Sequence, residues 1–236
     1  MLACVEIGGS SVETVLFAPD GTVVRVEGPL RPKNARLAIA SPGVIVGCRV
    51  AAASSLGWVD VDPAEALDIG PSAEIVLNDA EAAALGEVAL RGDEVHEALY
   101  VCVGTGVGAA VVRDGAVTAA NLLGHMPGYS DAECLCGQVG CLETIAAGWA
   151  LPEPVPVDLV VRAGNAIAEA IEREPDASPR LVVFAGGLAH RYPLLASVVA
   201  EALPGRSVEV SAAPEGFKSA AAWGLRAAVA RVHARP

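Results

Sequence analysis

Four side chains able to ligate a divalent metal fall within seventeen residues of this chain: His125, Cys134, Cys136 and Cys141. One imidazole and three thiolates are enough to close a tetrahedral zinc shell, and a closed shell leaves no position for a catalytic water. The spacing therefore predicts a structural zinc, with any chemistry beside the metal rather than on it. Gly137 and Gly140 free the backbone to turn tightly between the second and third thiolates. Glu143 follows two residues after the last ligand, so a metal held there would pin a carboxylate with it.

Two other readings of the cysteines compete with zinc. Disulfides belong to oxidising compartments, whereas Met1–Leu2–Ala3–Cys4–Val5 runs directly into a strand with no basic-then-apolar leader. A cytoplasmic location is the expectation, where thiolates stay reduced and available to metal. Cys4, Cys48 and Cys102 lie among small apolar residues and read as core thiols. A nucleic-acid-binding zinc finger needs a basic surface. Here 28 acidic residues face 16 basic ones, for a net charge of -12, and Lys33 and Lys218 are the only lysines. Such a chain repels a phosphate backbone, so no nucleic-acid partner is expected. No apolar run is long enough to span a bilayer, so no membrane association is expected either.

A second constellation is Asn78–Asp79, which follows the apolar triplet Ile75–Val76–Leu77 and precedes an Ala-rich stretch read as a helix over Ala82–Val88. Either residue could cap that helix. The alternative for Asp79, at the mouth of a strand, is to take a proton from a substrate hydroxyl.

The elements that must position these groups come as a repeat. Ala3–Ile7, the turn Gly8–Gly9–Ser10–Ser11, Val12–Phe17, an Asp20–Gly21 turn and Thr22–Val26 form one series. Leu99–Val103, the turn Gly104–Thr105–Gly106–Val107–Gly108, Ala109–Val112, an Asp114–Gly115 turn and Ala116–Thr118 form the other. Each reads as strand, glycine loop, strand, hairpin turn and strand. Their offset of about 95 residues is domain-sized and points to two related halves. A dinucleotide fingerprint needs a helix directly after its glycines; here they run into Val111–Val112 and a hairpin, so each loop joins antiparallel strands. Exposed amides with no side chains in the way suit a phosphate. The rival reading is a pair of ordinary tight hairpins.

Taken in order, these motifs resemble the ROK family of sugar kinases and related repressors, within the actin-like, hexokinase-like phosphotransferases. Gly124–His125…Cys134-x-Cys136-x4-Cys141-x-Glu143 is similar to the family's zinc motif, and Asn78 through Glu87 to the segment with its catalytic aspartate. Glu6–Ile7–Gly8–Gly9–Ser10 and Gly104–Thr105–Gly106–Val107–Gly108 look like its two phosphate loops, and Val182 through Leu188, with Gly186 and Gly187, like the turn that meets adenosine. The resemblance spans Glu6 to about Gly224. It implies a two-lobed α/β fold of the ribonuclease-H-like, actin-like ATPase type with a structural zinc module. It also implies ATP as co-substrate, Mg²⁺, and a polyol acceptor. Asp79 would be the general base and Asn78 a hydroxyl ligand. His125 would hold zinc through one nitrogen and a sugar hydroxyl through the other, and Glu143 would take a further hydroxyl. Association into a homodimer is an expectation carried by the resemblance alone.

Three departures stand out. Leu122 occupies the position where the family places a sugar-binding Glu three residues before the His, which favours an acceptor lacking a hydroxyl there or carrying an apolar group. Glu6 replaces Asp, one methylene longer, as the candidate for holding Mg²⁺ through a water, and Ser10 replaces Thr. The chain is also short, with little room for helices between Arg31 and Ala53. The first lobe is expected over residues 1–91, with a C-terminal helix over 218–236 packing back onto it, and the second over 92–217, with the active cleft between them. With no helix-turn-helix before the first strand, a repressor role is not expected. The leading function is an ATP-dependent kinase of a sugar, aminosugar, deoxysugar or cyclitol. The alternatives are a non-catalytic sugar sensor and transfer to an unusual acceptor.

Overall fold

A computed structural model describes residues 1–8, 11–217 and 219–234. Gly9 and Ser10 of the first glycine loop, and Lys218, expected to open the last helix, lie outside the described residues. The chain divides into Met1–Gly92 with Ala212–Pro236, and Asp93–Ser211.

In the first unit the β-branched runs become β1 (Leu2–Ile7), β2 (Val12–Phe17) and β3 (Val23–Glu27), followed by β4 (Arg36–Ser41), β5 (Val44–Val46), β6 (Arg49–Ala53) and β7 (Trp58–Val61). A short helix α1 (Pro63–Ala66) leads to β8 (Ile75–Asn78) and helix α2 (Asp79–Arg91). Among the described residues the main sheet runs β3-β2-β1-β4-β8, antiparallel on the β3 side and parallel from β1 to β8. β1 and β4 are apolar on both faces, as strands covered on both sides must be. Ala3, Val5, Leu37, Ile39 and Val76 form the core on one face. Among the described residues between Arg31 and Ala53 there are strands and no helix.

Helix α2 starts three residues before the expected Ala82 because its N-terminus is doubly satisfied. Asn78 Oδ1 accepts from the amides of Ala80 (2.9 Å) and Glu81 (3.4 Å). The Glu81 carboxylate receives the amide of Asn78 in return. This is a reciprocal cap, readable in the sequence as Asn-x-x-Glu.

The second unit repeats the plan with β9 (Glu97–Val103), β10 (Val107–Arg113) and β11 (Ala116–Ala120). After the cysteine segment come α3 (Glu143–Ala146), α4 (Val157–Arg173), β12 (Leu181–Ala185), α5 (Gly187–Arg191), α6 (Leu194–Ala202) and β13 (Ser207–Val210). The sheet order β11-β10-β9-β12-β13 matches that of the first unit strand for strand, with the same antiparallel and parallel pairings. The repeat in the sequence is thus a repeat of topology. Helix α4 buries Val160, Ala163, Gly164, Ile167 and Ile171, spaced three or four apart, so one stripe faces the sheet.

The chain then returns to the first unit and ends in α7 (Ala221–Ala234). This helix lies against α2 with almost no side chain between them. A Cβ on Gly86 would overlap the carbonyl of Ala220, and one on Gly224 that of Ala82. Glu87, fully buried in α2, pairs with Arg91 and accepts the amide of Ala212 at 2.8 Å. That bond ties the start of the returning segment to α2.

Candidate functional site

The four metal-ligand candidates converge. Their donor atoms all lie within 4.8 Å of one another. His125 Nδ1 is 3.7 Å from Cys134 Sγ, and Cys136 Sγ is 3.7 Å from Cys141 Sγ. A tetrahedron with Zn–S bonds of about 2.3 Å has an edge of about 3.8 Å, so the spacing fits such an ion. A tight turn makes this arrangement: the amide of Cys134 bonds Gln138 O and that of Gly137 bonds Cys134 O. Gly137 and Gly140 have φ of +85° and +80°, and a Cβ on Gly140 would sit 2.6 Å from Ser130 O. Burial raises the thiol of Cys134 and pushes that of Cys141 up to about 12, so sulfurs this close need a cation to persist as thiolates. With Nδ1 at the cluster, His125 keeps Nε2 for another partner.

Glu143 is the first residue of α3 and is buried. Its Oε1 accepts the amide of Val107 at 2.8 Å, and its Oε2 the indole N–H of Trp149 at 3.3 Å. Two glycines make room: a Cβ on Gly106 would lie 2.5 Å from Oε1, and one on Gly124 would lie 3.3 Å from it and overlap Val107 O. Each carboxylate oxygen keeps a further lone pair for a hydroxyl.

The second glycine loop closes the turn between antiparallel β9 and β10, with Gly104 N bonded to Gly106 O at 2.9 Å. It meets the turn after β12. Gly186, at φ +99°, lies so close to Val103 that a Cβ would be 2.5 Å from its carbonyl, and the Cβ position of Gly104 is 3.8 Å from Gly187 N. Gly104, Thr105, Gly106, Gly186 and Gly187 therefore gather at the carboxyl ends of β9 and β12, where α/β sheets bind ligands. Leu122, between Asn121 (φ 57°) and Leu123 (φ 71°), packs half-buried against this unit's core.

In the first unit, the two residues at the end of β8 divide their tasks. Asn78 caps α2 through Oδ1, while its Nδ2 donates to Gly43 O at 3.0 Å. Asp79 is the first helical residue, its Oδ1 taking the amide of Ala80 at 3.0 Å. Burial holds the carboxyl of Glu81 above the usual range, and the charge of Asp79 adds to this. Glu6, at the end of β1 before Gly8, accepts a hydrogen bond from Ser219 Oγ at 2.8 Å.

A model of the ROK family matches residues 30–190, more than half of the chain and the stretch that carries Asp79, the second glycine loop, the cysteine cluster and Gly186–Gly187. The chain belongs to the ROK family. Among similar proteins, the N-acetylmannosamine kinase of Escherichia coli O6:H1 (strain CFT073) is 29% identical over 178 residues, 62% of this chain and 61% of that protein. The matched segment thus spans about three fifths of that relative's length. The ROK family glucokinase from Streptomyces griseus, in complex with glucose and AMPPNP, has a TM-score of 0.71 at 18% identity over 95% of this chain and 98% of that one. The ROK hexokinase from Thermus thermophilus has a TM-score of 0.67 at 22% identity over 98% and 99%. These likenesses show that the chain has the α/β fold of those two proteins.

The structure adds two residues that spacing did not single out. Trp149 touches Glu143 from six positions on, and Ser219 reaches Glu6 across 213 positions. Neither carried a local signal, because both contacts are made by the fold.

Proposed function

We propose that this ROK-family protein is an ATP- and Mg²⁺-dependent phosphotransferase acting on a hydroxyl of a sugar or sugar-like molecule, with Asp79 as general base. The observation that supports the reading is the place of Asp79, the first residue of α2 directly after β8, next to Asn78, whose Oδ1 caps the helix. Asp79 takes the proton of the acceptor hydroxyl as its oxygen bonds to the γ-phosphorus, and the bond from that phosphorus to the bridging oxygen breaks to release ADP. Asn78, His125 through Nε2, and Glu143 hold other hydroxyls. Mg²⁺ supplies the charge neutralisation that a protein of net charge -12 lacks, with Glu6 the candidate for holding it through water. Gly8, Gly104, Thr105, Gly106, Gly186 and Gly187 would hold the nucleotide; the amides of Gly8 and Gly104 are bonded to Ser11 O and Gly106 O, so these two residues contribute space rather than donors. His125, Cys134, Cys136 and Cys141 hold a structural zinc, so the imidazole cannot swing away from the substrate.

An N-acylated hexosamine is the acceptor this reading favours. The matched relative is an N-acetylmannosamine kinase, and Leu122 offers apolar surface to an acyl methyl where a Glu would offer a hydroxyl acceptor. The test is ADP release from Mg-ATP across hexoses, N-acylhexosamines, deoxysugars and cyclitols, with zinc content measured on the same protein. Acceptor-dependent release led by the N-acylhexosamines is the expected result. Zinc-loaded protein that releases no ADP with any acceptor, and shows no affinity for Mg-ATP, would overturn the kinase reading in favour of a sugar sensor.

A further inference from the structure

The carboxylate of Glu143 joins two parts of the second unit that the sequence keeps far apart. On one side is the metal-ligand cluster: Cys141 lies two residues before it, and the Glu143 amide donates to Gly124 O at 3.0 Å, directly beside the ligand His125. On the other side is the glycine loop, where the Val107 N–H donates to Glu143 Oε1 at 2.8 Å. The space for this contact is built in. A Cβ at Gly106 would strike Oε1, and one at Gly124 would strike the Val107 carbonyl and press on Oε1 at 3.3 Å. The indole of Trp149 holds the second oxygen, so the carboxylate cannot rotate away from Val107. The segment after α3 completes the stitching, with Gly148 N bonded to Gly104 O at 2.8 Å and Trp149 N to Thr105 O at 3.3 Å.

We propose that Glu143 is a positioning residue that passes the order of the His125/Cys134/Cys136/Cys141 cluster to the glycine loop, fixing the amide of Val107. With the cluster closed on a metal, residues 124–125 and 141 are held, and α3 starts at one place with its first carboxylate aimed at the loop. Without it, both supports of Glu143 loosen together and the loop amide loses a charged acceptor. A hydrogen bond to a buried carboxylate is among the stronger ones in a fold, so its loss should be visible as local opening. The inference rests on the cluster being a metal site; it does not rest on kinase activity, because its readout needs neither nucleotide nor sugar.

The test is amide hydrogen exchange, followed by mass spectrometry on peptides covering residues 103–108, on the full chain with metal content determined in parallel. Four samples are compared: protein as purified with zinc, the same protein after chelation, Glu143→Gln and Glu143→Ala. The expected result is exchange at Val107 about tenfold or more faster after chelation and in Glu143→Ala. Glu143→Gln should fall between the parent and Glu143→Ala, because its amide oxygen can still accept from Val107 but carries no charge, and its nitrogen cannot accept from the Trp149 indole. Peptides from α4 and β12 serve as the control for general unfolding. Unchanged protection at Val107 in protein shown to have lost its metal would overturn the proposal, as would a folded Glu143→Ala variant that exchanges no faster than the parent, or a protein that binds no metal. Should Glu143→Ala fail to fold, the chelation arm decides.

Discussion

Gly224 in the last helix lies directly against the backbone of Ala82 in α2, with Gly86 N only 2.8 Å from where its Cβ would be. The contact closes the first unit: it brings the end of the chain onto a helix that begins at Asp79. Gly224→Ala should gain up to about 1 kcal/mol from helix propensity in isolation. In the folded protein the new methyl meets a carbonyl that cannot move without shifting a helix, and overpacking of this kind costs about 1–3 kcal/mol. The net expectation is destabilisation, measured as a lower denaturant midpoint at unchanged m-value.

Asp79 and Asn78 can be separated by substitution. Asp79→Asn keeps the cap and should lower phosphoryl transfer by about 10²–10⁴-fold, the usual contribution of a general base, with a melting temperature near that of the parent. Asn78→Ala removes the cap and should cost about 1 kcal/mol of stability. Initial rates and thermal melts on both variants check this. An Asp79→Asn protein with near-parent rates would remove Asp79 from the chemistry.

Glu74 anchors the far end of the first sheet. Its carboxylate accepts from Arg36 at 2.8–3.1 Å and lies 3.1 Å from His233 Nε2 at the end of α7. The Arg36 guanidinium, with His233 adding to it, holds the Glu74 carboxyl down at about 2. The folded value lies below the unfolded one, so its contribution is fully present above about pH 4.5 and is lost as the pH falls toward 2. The pair is solvent-exposed, which limits the effect to about 1 kcal/mol or less. Glu74→Gln should flatten the acid limb of a stability–pH curve between those values and leave the curve near neutrality lower by the same small amount.

Leu122 is where specificity should respond. Leu122→Glu replaces apolar surface with a hydroxyl acceptor and should shift kcat/KM from N-acylhexosamines toward fully hydroxylated hexoses by about tenfold or more. Because the side chain is half-buried against the core, the variant should also lose about 1–3 kcal/mol of stability. The ratio of specificity constants, rather than either constant alone, is the measurement that isolates the change.

Much of this protein was determined locally. The cluster His125/Cys134/Cys136/Cys141 could be read from spacing because a tight turn with glycines at 137 and 140 sets the distances among its cysteines, while the bonds of Leu142 and Glu143 to Met126 O and Gly124 O bring His125 to them. The second glycine loop was legible because strand, turn and strand are adjacent in the chain. The sequence left open whether Asn78 or Asp79 caps α2, and the reciprocal bonds of Asn78 and Glu81 put its start at Asp79 rather than Ala82. Tertiary structure decided what lies between distant segments. It chose Asn78 over Asp79 as the cap, since Gly43 takes the other end of the Asn78 amide. It put Trp149 and Val107 on the two oxygens of Glu143, placed Ser219 on Glu6, and brought Gly224 onto Ala82. These contacts depend on how sheets and helices pack, and no local pattern of residues specifies which buried acceptor a given donor will meet.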